Sequence, residues 1–149
     1  MNLLSSLYSK VTKSNSNTIG LTLSGGGVRG IAHLGVLKAL NENDIYPDIV
    51  AGVSAGALAG VFYADGYKPD EIFEIFNQTS IFKFAKFTVP KQGFISMEKV
   101  IKILEKHIKA KSFSELQIPL HIATSNLNEG VIEYFNEGSI IDKVIASAS

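Results

Sequence analysis

Two glycine-rich segments constrain this chain most: Gly25-Gly26-Gly27-Val28-Arg29-Gly30 and Gly52-Val53-Ser54-Ala55-Gly56. Each follows a short apolar run and precedes a helical pattern. Thr18 to Ser24 and Asp48 to Val53 are apolar on both faces, as strands of a buried parallel sheet are. Ile31 to Leu40 carries Ile31, Leu34, Leu37 and Ala39 or Leu40 at helical spacing, and Ser54 to Ala64 is small, apolar and closed by Asp65-Gly66. A strand, helix, strand, helix order makes a right-handed parallel crossover, so the expected class is α/β with helices on both faces of the sheet.

The rest of the chain extends that plan. Pro69 opens a helix with Asp70 and Glu71 in its first turn. Ser96 caps a helix to about Lys109, with Val100, Ile101, Leu104 and Ile108 inward and Lys99, Lys102, Lys106 and Lys109 on a solvated face. Leu120 to Ser125 and Val131 to Phe135 form a hairpin around Asn128-Glu129-Gly130. Ser139-Ile-Ile-Asp142 is a capping box that opens a last helix. Residues 1–17 end in KSNSN and read as a polar tether before a domain at 18–149.

Composition narrows the function. At 149 residues the chain is one domain, long enough to bury about two-thirds of its unfolded surface. It has no cysteine, so no thiolate site, disulfide or cysteine nucleophile exists. Fourteen basic residues balance fourteen acidic ones, so no overall field favours nucleic acid. Residues 81–111 do hold eight lysines against two glutamates, a net +6. No apolar run approaches the roughly 18 residues that span a bilayer, and the N-terminus carries no signal-peptide pattern. Three scattered histidines offer no ligand spacing, so neither metal nor cofactor is expected.

Gly25 to Gly30 fits G-x-G-x-x-G, which seats a pyrophosphate in dinucleotide folds. That reading also wants an acid at the carboxyl end of the second strand. Asp48 has the distance but stands at the strand's amino end. Backbone donors in such a loop serve a developing oxyanion equally well. Gly52 to Gly56 fits G-x-S-x-G between strand and helix, the setting of a nucleophile elbow; its plainer reading is a serine N-cap between glycines. Paired at the carboxyl ends of adjacent strands, the two motifs put a nucleophile beside a bank of donors, which is what acyl transfer requires.

GGGVRGIAHLGVLKAL followed by DIVAGVSAGALAGVFYADG resembles the patatin-like phospholipase family. The two motifs, their order and their spacing carry the resemblance, clearest from Ile19 to about Gly66. It implies a three-layer α/β/α sandwich with a mainly parallel sheet, and a lipid acyl hydrolase of the phospholipase A or esterase kind. It implies a Ser–Asp dyad in which Ser54 is the nucleophile, the loop Gly25, Gly26, Gly27, Val28, Arg29 and Gly30 forms the oxyanion hole, and Gly52, Val53, Ala55 and Gly56 shape the elbow. The substrate is then a lipid or acyl ester.

The family's aspartate, in an Asp-Gly-Gly or Asp-Gly-Ala motif, has no match here. Of five aspartates only Asp65 precedes a glycine, and eleven helical positions put it about 16 Å from Ser54. The closing Ala-Ser-Ala-Ser resembles the stretch before the aspartate strand. The chain is therefore expected to be C-terminally incomplete, with its base outside these residues and its own activity weak or nil. His33, His107 and His121 are read as structural. Arg29 either meets a substrate anion or ties the glycine loop. Phe82, Phe84 and Phe87 interleaved with Lys83, Lys86 and Lys91 are a candidate contact with an anionic lipid surface; a core-facing segment with solvated lysines is the preferred reading. The expected location is cytoplasmic, with peripheral membrane contact as an extension. The alternatives are a non-catalytic lipid- or partner-binding relative and a nucleotide-binding α/β domain.

Overall fold

The computed structural model describes residues 18–79, 81 and 97–149. The expected tether at 1–17, the Ser96 cap and the aromatic–lysine segment lie outside the described residues. Four strands, β1 (Gly20–Leu23), β2 (Ile49–Gly52), β3 (Leu120–Asn126) and β4 (Val131–Phe135), form one sheet in the order β1-β2-β3-β4. β1 and β2 are parallel, as are β2 and β3, while β3 and β4 form the antiparallel hairpin. The helices are α1 (Ile31–Asn41), α2 (Ala55–Ala64), α3 (Pro69–Gln78), α4 (Met97–His107) and α5 (Ile140–Ala148).

The sheet's alternation decides which residues meet the helices. Leu23, Val50, Leu120 and Ile122 are buried, and Thr124 follows on the same face of β3. A Cβ at Gly60 of α2 would stand 3.3 to 3.6 Å from side chains of Val50, Leu120 and Leu23, so α2 lies against this face. α2 is apolar on every side, and Ala59 through Ala64 are all buried, as in a helix enclosed by other elements. α5 packs beside it on β3, with Ile140 and Val144 buried. On the other face Ile49, Ala51, His121 and Ala123 are half-buried, so the described helices supply the layer over Val50 and Leu120. α1 packs mainly against α3 through buried Leu34 and Leu37, leaving Ile31 partly exposed. α4 turns Val100 and Leu104 into the core with Ile103 and Ile108 partly buried against it, so Ile103 takes the inner place that the spacing gave to Ile101.

Local chemistry sets the element ends. Pro69 is the first residue of α3, and the Glu71 carboxylate accepts the Lys68 N–H at 2.7 Å. In the hairpin, Asn126 Oδ1 accepts from the N–H groups of Asn128 and Glu129, and Gly130 takes φ 68°. Ser139 Oγ accepts from Asp142 N to start α5. Phe62, fully buried, meets Tyr67 and Phe76 edge-on at 5.5 and 5.2 Å.

Asp65 is the buried carboxylate of the core. Its two oxygens accept the N–H groups of Lys109 at 2.8 Å and Ala110 at 3.0 Å, so it ends α2 and ties down the chain after α4. Nearby, burial pushes the His107 imidazole below its ordinary 6.5, with Lys106 adding to the effect. This opposes the helix dipole, which at a C-terminus favours the charged imidazole.

Asp65→Ala orphans two buried donors and is expected to cost about 1–3 kcal/mol, read as a lower midpoint in urea unfolding. Because folded His107 binds a proton less readily than the unfolded chain, its contribution to stability is present above pH 6.5 and declines as pH falls below it. His107→Gln should flatten the loss of melting temperature between pH 7 and pH 5; an identical slope in both proteins contradicts this.

Candidate active site

The parallel register pairs Leu23 with Gly52, so the two strands end level. Past β1 the chain runs through Ser24 and Gly25 into a single 3-10 turn, Gly27–Gly30, that leads directly into α1. Gly27 takes φ 53°, a left-handed conformation that side chains resist. The Arg29 N–H closes on Gly26 O at 3.1 Å. Past β2, the Val53 N–H still reaches Leu23 O at 3.1 Å, and then the backbone reverses. Ser54 sits at φ 53°, ψ −119°, and α2 begins at the next residue. A non-glycine residue with positive φ carries strain of about 1–3 kcal/mol, held only where surrounding contacts impose it.

Those contacts are backbone approaches that glycine permits. A Cβ on Gly56 would lie 2.0 Å from Leu23 O, and one on Gly30 would lie 2.5 Å from Ala55 Cβ. The first turn of α2 is thereby pressed against the end of β1 and against the glycine loop. A Cβ on Gly25 would stand 3.4 Å from Ser54 Cβ. The residues expected to form the site from Gly25 to Gly30 and from Gly52 to Gly56 are therefore brought together, with Ser54 half-buried at the head of α2. Both groups lie at helix starts, where amides lack helical acceptors and the dipole is positive. Such a corner stabilises negative charge developing on a carbonyl oxygen.

Arg29 is exposed on the turn, and among the described residues its guanidinium has no hydrogen-bond or ion-pair partner. The tie from Arg29 to the loop is therefore not made by that side chain. His33 makes one instead: its Nε2 lies 2.7 Å from Ser24 O, joining α1 to the end of β1 behind the loop. His121, at the start of β3, pairs with Ala51, and the His107 backbone carbonyl accepts from the Tyr67 hydroxyl.

Three of the five aspartates have partners elsewhere. Asp48 accepts the Ile19 N–H at 2.7 Å, at the amino end of β2, away from the glycine turn. Asp48 is thus not placed to bind a ribose at the carboxyl edge. Asp65 holds the amides named above, Asp70 pairs with Lys38 at 2.9 Å, Asp142 is in the first turn of α5, and Asp44 sits at φ 56° in the turn after α1. Among the described residues no group of three or more histidines and carboxylates is arranged for a metal. Phe82, Lys83, Phe84, Lys86 and Phe87 lie outside the described residues.

One site residue escaped the sequence. Ser147, near the end of α5, accepts the Ser54 N–H at 2.8 Å through its Oγ and donates to Ala123 O at 2.6 Å. It is 93 positions from Ser54, and nothing in Ala-Ser-Ala-Ser marks one serine from the other.

Known proteins resemble this chain in sequence and in fold. Lysophospholipase nte1 of Emericella nidulans is 31% identical over 140 residues, which are 88% of this chain and 9% of that protein. Neuropathy target esterase sws of Drosophila willistoni is 31% identical over 139 residues, again 9% of its length. A patatin-like phospholipase domain-containing protein of Caenorhabditis elegans is 55% identical over 56 residues. The chain thus spans under a tenth of these relatives. Among solved structures, the type III effector ExoU superposes with a TM-score of 0.61 at 18% identity, over 88% of this chain and 40% of that one. VipD from Legionella pneumophila gives 0.57 at 16%, over 87% and 42%. These two share the fold, an α/β architecture with a mainly parallel sheet. The family model described as patatin-like phospholipase matches residues 21–149, and with the relatives above it establishes that the chain belongs to the patatin-like phospholipase family.

Proposed function

We propose that this chain carries the nucleophile and oxyanion hole of a lipid acyl hydrolase. The observation that carries the reading is Ser54 at φ 53° on a strand-to-helix turn, with Gly25 against its side chain. Ser54 Oγ attacks the ester carbonyl carbon. The carbonyl oxygen becomes an alkoxide held by amides of the Gly25–Gly30 loop and the first turn of α2. Collapse of this adduct expels the alcohol and leaves an acyl-serine, and water then attacks that ester to release the fatty acid and restore Ser54. A well-placed oxyanion donor is typically worth about 10²–10³-fold in rate.

The proton of Ser54 needs an acceptor. The five aspartates serve other partners or lie away from the elbow, which supports a base supplied from outside this chain, an aspartate by resemblance to the family. A general base typically adds about 10²–10⁴-fold, so the 149-residue chain alone is expected to turn over esters slowly or not at all while keeping a reactive pocket. The Arg29 guanidinium, without a partner among the described residues, favours the substrate-facing role over the loop tie, where its planar fork suits a phosphate or carboxylate on a lipid head group. The relatives named lysophospholipase and neuropathy target esterase support a lipid ester as substrate. No helix among the described residues is long and apolar enough to cross a membrane; peripheral contact, with the segment from Phe82 to Phe87 as its candidate, is part of the proposal.

Fluorophosphonate labelling tests the nucleophile without requiring full turnover. The probe is expected to modify the wild-type chain at Ser54, located by peptide mass, and to leave Ser54→Ala unmodified. No labelling of the wild type favours a non-catalytic lipid-binding relative. A second measurement addresses Arg29: Arg29→Ala should weaken protection by a lysophospholipid against the probe by about 10-fold and leave protection by an uncharged short-chain ester unchanged.

A further inference from the structure

The elbow's strain needs a restraint, and the structure contains one that neither motif includes. The Ser54 amide falls in a gap between two hydrogen-bond systems. The β1–β2 contacts finish with Val53 N–H on Leu23 O, and the bonds of α2 begin with Gly56 N–H on Val53 O. At an N-cap in an unusual conformation, the Ser54 N–H has no acceptor from either system. Ser147 Oγ fills that place at 2.8 Å.

The geometry fixes the polarity of the hydroxyl. A backbone N–H only donates, so Ser147 Oγ accepts from Ser54, and its single hydrogen goes to Ala123 O at 2.6 Å. Ala123 follows Ile122, the β3 partner of Gly52, so this carbonyl stands beside the elbow. A helical serine ordinarily bonds back to the carbonyl four residues earlier. Ser149, the C-cap of α5, does so, with Oγ 2.7 Å from Ile145 O. Ser147, on the same helix, instead joins β3 to the turn after β2.

We propose that Ser147 is a positioning residue that clamps the Ser54 backbone in its strained conformation, and so aims Ser54 Oγ at the glycine loop; the catalytic part rests on the hydrolase reading above. The clamp also occupies the Ser54 N–H. Oxyanion donors are then limited to the glycine loop and the amides after Ser54.

The experiment compares the wild-type chain with Ser147→Ala, Ser147→Thr and Ser149→Ala. It reads amide exchange at Ser54 by NMR, the rate and saturation concentration of fluorophosphonate labelling, and the melting temperature. In Ser147→Ala the Ser54 amide should exchange at least about 10-fold faster, and the maximal labelling rate should fall by about 10- to 100-fold with little change in saturation concentration, since misaiming by about 1 Å is worth up to 10²-fold. Ser147→Thr keeps the hydroxyl and should recover both, while Ser149→Ala should move neither. Unchanged exchange and labelling in Ser147→Ala overturns the clamp. So does a loss that Ser149→Ala reproduces, or one that only follows the melting temperature. If the wild type is never labelled, the hydrolase reading fails by itself, and faster Ser54 exchange in Ser147→Ala still upholds the clamp on the backbone.

Discussion

The close approach of α2 to the end of β1 governs the architecture around the site. It places Gly56 where any Cβ would overlap the Leu23 carbonyl and sets Gly30 against Ala55. Backbone-to-backbone contact of this kind permits no adjustment by side-chain rotation, so it fixes the angle at which α2 leaves the sheet. That angle forces the reversal at Ser54, and the reversal brings Ser54 to the glycine loop. Strain of a few kcal/mol at one residue is sustained because packing on all sides of α2 determines where the helix must lie.

Polar contacts then hold what packing has placed. His33 joins α1 to Ser24, Asp65 joins the end of α2 to the chain after α4, and Ser147 joins α5 to both β3 and the elbow. Each of these bonds links separate elements through a backbone group. Buried donors without partners are costly, so the ends of strands and helices are where such side chains do most to specify a single arrangement. The site stands where several of those ends converge, at the carboxyl edge of a parallel sheet, as ligand sites in open α/β sheets do.

Several features were legible because they depend on neighbours in the sequence. β1, β2, α1, α2 and α3 follow from apolar spacing, Pro69 and the two glycine motifs. The hairpin follows from Asn128-Glu129-Gly130, whose glycine indeed takes positive φ. The start of α5 follows from Ser139. Other features were not legible. The inward turn of Ile103 in place of Ile101 depends on the direction from which α4 meets the core. The lowered proton affinity of His107 reflects burial, with Lys106 adding to it, and neither its burial nor its direction is written in the sequence around it. The same holds for Arg29, whose lack of a partner among the described residues is a matter of what surrounds the turn.

The sequence by itself determined that this chain has a parallel α/β core with a serine and a glycine bank at two consecutive strand-to-helix turns, because tight turns demand glycine at set positions and buried strands demand unbroken apolar runs. It also determined that no aspartate follows the family's pattern within these residues. Only the tertiary structure decided that the turns end level and touch, that Asp48, Asp65 and Asp70 have partners elsewhere, and that Ser147 reaches across 93 positions to hold the Ser54 amide. A hydrogen bond between two distant backbone and side-chain groups leaves no periodicity in the chain. It exists only once packing has set both groups within 2.8 Å.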